Sequence, residues 1–272
     1  MRIGSLFTGY GGLDMAVEQV FGAQTVWVSD IKPAAVKLLA HRHPDVPNLG
    51  DITQIDWATV EPVDIITGGF PCTDVSAAGR RAGLIRYGAD STRSGLWSEM
   101  CRAVDQLRPS LMVAENVRGL PTPRESDGAK GGPNQRGSSG DLMLPSAVMR
   151  LLPTPRARDG QAEGVEAGRR RMERYGTATM PTVAAGGFGD YGPAIARHTE
   201  AIGRPAPSPT EIGPKGGERL SPRFTEWMMG LPEGWITDVP GLSRNDQLSL
   251  CGDGVVPQQA SAALEYLLEA AA

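Results

Sequence analysis

Over the first 117 residues, short apolar runs alternate with amphipathic stretches, and this constrains the fold more than any other feature of the chain. Residues 2–7 (RIGSLF), 24–29 (QTVWVS), 63–67 (VDIIT) and 110–114 (SLMVA) are short and apolar, as strands are. Residues 12–21 place Leu13, Ala16, Val17 and Val20 at i, i+3, i+4 and i+7, the apolar stripe of a helix. Residues 33–40 open with Pro33, suited to a first helical position, and residues 95–107 form a third helix. Strands separated by helices rather than tight turns predict a parallel sheet with helices on both faces, an α/β fold. VDIIT and SLMVA lack polar alternation, so both are expected to be buried.

The composition changes after residue 117. Residues 118–218 contain 18 Gly and 12 Pro among 101 residues, the range of irregular chain, so the α/β pattern does not continue there. LPTPRESDG (120–128) and LPTPRARDG (152–160) agree at seven of nine positions, an internal duplication that fits two similar loops or a duplicated linker. From residue 218 regular structure returns. Ser221 and Pro222 read as a helix cap and first helical residue, Gly230 ends that helix, and Pro257 opens a terminal one. The chain therefore divides into 1–117 with 218–272, and an irregular Gly/Pro-rich insertion at 118–217.

Charge follows the same division. The chain carries a formal −4, yet residues 118–174 hold 11 Lys/Arg against 7 Asp/Glu, leaving −8 elsewhere. A basic middle on an acidic body suits contact with a polyanion on one face; a solvated loop fits that charge equally well. Hydrophobic content of 40% excludes global disorder. No run of 18 apolar residues predicts a membrane span. Three cysteines and a glycine-containing N-terminus point to reduced thiols and a cytoplasmic protein.

Three strand ends carry candidate chemistry. The first strand runs into Phe7-Thr8-Gly9-Tyr10-Gly11-Gly12, a turn that lets a ligand approach the backbone. A dinucleotide fingerprint starting at Gly9 requires glycine where Asp14 stands, which disfavours NAD. Asp30 ends the second strand, where a carboxylate can take both hydroxyls of a ribose. The third strand runs into Gly68-Gly69-Phe70-Pro71-Cys72, a cysteine where open α/β sheets bind ligands; it reads as a nucleophile or as a buried structural thiol. The fourth ends in Glu115-Asn116-Val117, so Cys72 and Glu115 can share one crevice and combine covalent with acid catalysis. His41, His43 and His198 lack ligand spacing and read as solvated surface residues, and no metal is expected; Cys101 and Cys251 read as packing residues.

These segments, in this order, resemble the cytosine-C5 DNA methyltransferase family. FTGYGG resembles its S-adenosylmethionine turn, WVSD the segment whose acid binds the cofactor ribose, and GDIT (50–53) the adenine-contacting segment. GGFPC resembles the nucleophile loop, STRSGLW (91–97) the segment that closes on the cofactor, and AENV (114–117) the Glu-Asn-Val motif. RLSPRFTEWMMGLPEGW and GDGVVP (252–257) are similar to the family's C-terminal segments. The resemblance implies S-adenosylmethionine as cofactor, held by Phe7, Gly9, Gly11, Gly12, Asp30, Ile31, Asp51, Ile52, Pro71, Leu96, Asp253 and Val255. It implies Cys72 as nucleophile toward C6 of a flipped cytosine and Glu115 as its partner at N3. Asn116, Arg156, Arg158, Arg169, Arg170 and Arg171 are the expected substrate contacts, with Arg80, Arg81 and Arg86 as further phosphate contacts. The expected partner is double-stranded DNA in a bacterial or phage-infected cell. A monomer is expected, and a companion restriction enzyme is left open.

The departures are specific. Thr73 and Asp253 stand where the family has Gln and Asn, and no Gln-x-Arg-x-Arg occurs anywhere in the chain. That absence keeps a weak or inactive cofactor-binding relative as an alternative, and predicts a sheet that ends one hairpin early beside Glu115. An RNA-directed cytosine methyltransferase is the other alternative, though that branch's Cys-Phe-Thr signature is missing from the insertion.

Overall fold

The computed structural model describes residues 1–69, 96–115, 192–214 and 216–271. The chain forms two compact units, one of Met1–Thr122 with Gly254–Ala272 and one of Pro123–Asp253. Residues 218–253 thus cluster with the second unit, whereas the sequence pattern divides the chain at 217/218.

The first unit is built on four parallel strands: β1 (Arg2–Leu6), β2 (Gln24–Ser29), β3 (Ile65–Gly69) and β4 (Leu111–Glu115), in the order β2-β1-β3-β4. Helices α1 (Gly12–Phe21) and α2 (Pro33–Arg42) follow β1 and β2, and α3 (Leu96–Leu107) precedes β4. Two one-turn 3-10 segments, Ile52–Gln54 and Trp57–Thr59, lead into β3. The sheet's C-terminal edge therefore collects the ends of β1, β2, β3 and β4, the edge where such sheets bind ligands.

Each face of the sheet is packed. On one, Leu6, Trp27, Ile52, Trp57, Ile66 and Met100 form a cluster in which Trp27 and Trp57 lie 6.0 Å apart. On the other, Ile3, Val17 and Ile65 pack with Leu264 of the terminal helix, Pro257–Ala271. Gly4 shows why β1 tolerates no side chain at its centre: a Cβ there would lie inside the Trp27 ring. Core burial follows strand position. β1 and β3 are almost wholly buried, but in β4 Leu111, Met112 and Val113 are half-buried and Ala114 and Glu115 exposed. The expectation of a buried fourth strand is thus corrected. An apolar run reports one-sided burial as readily as two-sided, and among the described residues nothing pairs with the far side of β4. Residues 118–142, expected to lack the next two strands, lie outside the described residues.

In the second unit, α4 (Gly192–Ile202), the antiparallel pair β5 (Thr210–Ile212) and β6 (Glu218–Leu220), α5 (Pro222–Met228) and α6 (Arg244–Asp253) are described; the Pro257–Ala271 helix of the first unit is α7. The Ser221 cap is present: its side chain accepts from the Phe224 N–H. Buried Glu226 accepts three backbone N–H bonds, from Gly234, Ile236 and Thr237, which satisfy its oxygens inside the fold. His198 is half-buried, at hydrogen-bond distance (2.9 Å) from the Trp227 carbonyl, with its ring edge-on to Trp227; it is not a solvated residue. His43 is half-buried as well, and burial lowers its pKa. Cys251 is buried as expected, and burial raises its pKa, whereas Cys101 is exposed on α3 and packs against nothing that buries it. No helix among the described residues is long and apolar enough to cross a membrane.

Candidate active site

The turn after β1 is the most constrained backbone at the sheet's C-terminal edge. Phe7 has φ 54°, a left-handed conformation that costs a phenylalanine energy, and Gly9 and Gly11 have φ 59° and 83°. Three bonds hold the turn open: the Phe7 N–H donates to the Ser29 carbonyl (2.8 Å), the Gly9 N–H to Asp30 Oδ2 (2.8 Å) and the Gly11 N–H to the Thr8 carbonyl (2.8 Å). Asp30, expected only as a ribose ligand, is also a strut. Its other oxygen accepts the Lys32 N–H at 2.8 Å, and lone pairs remain on both oxygens for a ligand.

Asp14, which appeared in sequence only as an argument against NAD, lies beneath this turn. It is buried on α1, and its carboxylate accepts the hydroxyls of Ser5 on β1 (2.8 Å) and Thr67 on β3. Burial raises its pKa to about 6, against the opposing pull of those two hydroxyl bonds. The strands that end at the glycine turn and at residue 69 are thereby tied to one side chain.

The turn is also tied to the far end of the chain. Tyr10 is fully buried, and its hydroxyl donates to the Val255 carbonyl at 2.6 Å. A Cβ on Gly12 would overlap that carbonyl, and one on Gly254 would overlap the Tyr10 ring. No local pattern announces a contact across 245 residues; the aromatic between two glycines was its only sequence signal.

Beside the turn, Asp51 caps its own segment by accepting the Thr53 N–H (3.0 Å) and hydroxyl (2.9 Å). Ile52 is buried in the core, so only its backbone is available to a ligand; Ile31 is 66% exposed. A Cβ at Gly9 or Gly50 would meet no atom within 4 Å, so both glycines border open space next to Asp30 and Asp51. Two carboxylates and a glycine-lined opening at a sheet's C-terminal edge fit a neutral polyol joined to a base, as in a nucleoside. Leu96 opens α3 and packs against the Trp27 cluster, and Asp253 ends α6 in the second unit.

Glu115 faces the same edge from β4. It is paired in register with Gly69, and a Cβ on Gly69 would come 3.2 Å from Glu115 Oε2, so glycine there leaves the carboxylate room. Though exposed at the strand end, Glu115 has enough chain around it for burial to raise its pKa. Pro71, Cys72, Asn116, Arg80, Arg81, Arg86, Arg156, Arg158, Arg169, Arg170 and Arg171 lie outside the described residues.

Residues 1–131 match the family described as C-5 cytosine-specific DNA methylase. Type II methyltransferase M.NgoFVII of Neisseria gonorrhoeae is 40% identical over 123 residues, which is 44% of this chain and 31% of that protein. M.NlaIV of Neisseria lactamica is 35% identical over 127 residues, 45% of this chain and 29% of that protein. The orphan methyltransferase M.SPRI of Bacillus phage SPR is 32% identical over 123 residues, 44% of this chain and 27% of that protein. The chain spans about a third or less of the length of these relatives. Among solved structures, DNMT2 of Spodoptera frugiperda is similar with TM-score 0.51 and 16% identity, over 98% of this chain and 99% of that one. A putative DNA modification methyltransferase from an Escherichia coli prophage is similar with TM-score 0.51 and 16% identity, over 99% of both chains. At such identities the likeness establishes the fold, a Rossmann-like α/β sheet.

Proposed function

Because residues 1–131 match the C-5 cytosine-specific DNA methylase family, we propose that the chain transfers a methyl group from S-adenosylmethionine to C5 of cytosine in double-stranded DNA. The observation that carries this reading is the pairing of Gly69 with Glu115 beside the glycine turn. It brings Gly69, three residues before Cys72 in the sequence, and a carboxyl of raised pKa to the edge where Asp30 and Asp51 stand.

Bound S-adenosylmethionine would supply an electrophilic methyl group. Asp30 would take the ribose hydroxyls, Asp51 and the backbone of Ile52 the adenine, and Gly9, Gly11 and Gly12 would admit the cofactor close to the backbone. Phe7, Ile31, Pro71, Leu96, Asp253 and Val255 would complete its surroundings. The Cys72 thiolate would add to C6 of the extruded cytosine, moving the ring electrons toward C5 and N3. Glu115 would hold a proton at N3, and its raised pKa favours the protonated form this requires. Once C5 is methylated and its proton lost, the Cys72–C6 bond breaks and the ring regains aromaticity. Residues 118–217 would read the target, with Arg169, Arg170 and Arg171 on phosphates, Arg156 and Arg158 within the duplicated loop, and Asn116 beside the base. The absence of a Gln-x-Arg-x-Arg segment predicts slow turnover, since Glu115 lacks those orienting arginines and misplacement by about 1 Å costs on the order of 100-fold.

Methylation-sensitive sequencing of DNA from cells expressing the chain tests this directly. The expected result is C5-methylated cytosine in a recurrent sequence, lost on Cys72→Ala. Unmethylated DNA from cells holding folded chain that binds S-adenosylmethionine would make it a binding relative, and methylated RNA in its place would make the substrate RNA.

A further inference from the structure

We infer that Arg102 of α3 is a positioning residue for the adenine-facing segment and sets the chain's preference for adenine over other bases in its cofactor. This rests on the cofactor reading above. Segment 51–55 opens the connection from β2's outer margin to β3, and its one 3-10 turn, Ile52–Gln54, is too short to hold its own shape. Its first end is fixed by Asp51, which accepts the Thr53 N–H and hydroxyl. A helix that short leaves carbonyls without partners inside it. Arg102 provides them: Nη2–H donates to the Ile52 carbonyl at 3.0 Å and Nη1–H, more weakly, to the Ile55 carbonyl at 3.4 Å.

The guanidinium is itself oriented. Its Nε–H donates to Glu99 Oε2 at 2.8 Å, one turn earlier on α3, which fixes the plane that carries the other two bonds. Lysine, a single charged point, could not hold three acceptors in that fork. With the Ile52 side chain in the core cluster of Trp27, Trp57 and Met100, and the Thr53 and Gln54 N–H groups already bonded to Asp51, the segment offers a ligand the Ile52 N–H and the second oxygen of Asp51. Those groups read the hydrogen-bonding edge of a base only if the backbone holds still. Arg102 provides that hold from α3.

A second ion pair, at the C-terminal end of the same helix, serves as a control. Arg108 and Asp105 also form an i,i+3 pair, 2.8 Å apart, but both side chains are more than 70% exposed. Calorimetry with S-adenosylhomocysteine and with its analogue carrying hypoxanthine in place of adenine separates the possibilities. The wild-type chain should prefer the adenine ligand, and Arg102→Gln should weaken that ligand about tenfold while hardly changing the hypoxanthine one, the scale of one lost set of hydrogen bonds. Arg102→Lys should fall between, and Arg108→Gln should match the wild type. Circular dichroism checks that each variant is folded, and Arg102→Lys stands in if Arg102→Gln is not. Equal weakening of both ligands would make Arg102 merely structural, and unchanged affinities would remove it from the site; either overturns the inference. Wild-type chain that binds neither ligand would overturn the cofactor reading, and this inference with it.

Discussion

The two margins of the one sheet are finished differently. At the β2 margin, the Val28 N–H donates to the Pro47 carbonyl (3.0 Å) and the Val28 carbonyl accepts the Leu49 N–H (2.7 Å). Asn48 then pins the strand end, its side chain accepting the Asp30 N–H (3.1 Å) and donating to the Asp30 carbonyl (3.0 Å). At the β4 margin, Ala114 and Glu115 are exposed, and among the described residues no strand lies beyond them. An open edge needs covering or pairing. The difference sets the two sides apart: the β2 margin is closed by bonds that also hold the sheet together, while Glu115 stands at an exposed strand end.

The strongest way to break this contrast is at Trp27, buried over Gly4 and against Trp57. Trp27→Ala should cost about 3–5 kcal/mol in chemical denaturation, the usual loss for a large core aromatic. A loss below about 1 kcal/mol would mean that packing does not hold the β2 side.

Asp14 gives the next largest effect, and it depends on pH. Its folded pKa of about 6 exceeds the ordinary 3.8, so its stabilising contribution is complete below pH 3.8 and is lost as pH rises through 6. At 1.36 kcal/mol per unit that loss is about 3 kcal/mol. Unfolding measured between pH 4 and 7 should show the decline in the wild type, and Asp14→Asn should remove that part of it. Identical pH profiles would show that Asp14 does not titrate in this range.

Much of the regular structure was legible in sequence because its signals are local. The i, i+3, i+4, i+7 stripe of residues 12–21 marks α1 to the residue, and Ser221-Pro222 marks the start of α5. What escaped is long-range or depends on neighbours. Tyr10 meets Val255 across the whole chain, and Asp14 is buried only because Ser5 and Thr67 arrive from two strands to satisfy it. Burial of SLMVA, Cys101 and His198 was misjudged for the same reason. Apolar character and helical phase do not report what stands opposite: β4 is only partly buried, solvent meets Cys101, and Trp227 meets His198.

Smaller effects sharpen the contrast. Asp30→Ala removes the acceptor for the Gly9 and Lys32 N–H groups as well as a ribose ligand. Calorimetry should show S-adenosylmethionine weakened by about 1–3 kcal/mol, and unchanged affinity would separate the turn from the cofactor. Glu115→Gln should change stability by less than about 0.5 kcal/mol, as exposed positions do. A larger loss would mean that the β4 margin is structural after all.

Transfer of a labelled methyl group from S-adenosylmethionine to cytosine in duplex DNA, run side by side on the wild-type chain, Cys72→Ala and Glu115→Gln, bears on the central claim most directly. The expected result is measurable transfer by the wild type, none by Cys72→Ala, and a loss on the order of 100-fold in Glu115→Gln with cofactor affinity unchanged. Equal transfer by Cys72→Ala, or none by wild-type chain that binds the cofactor, would contradict it.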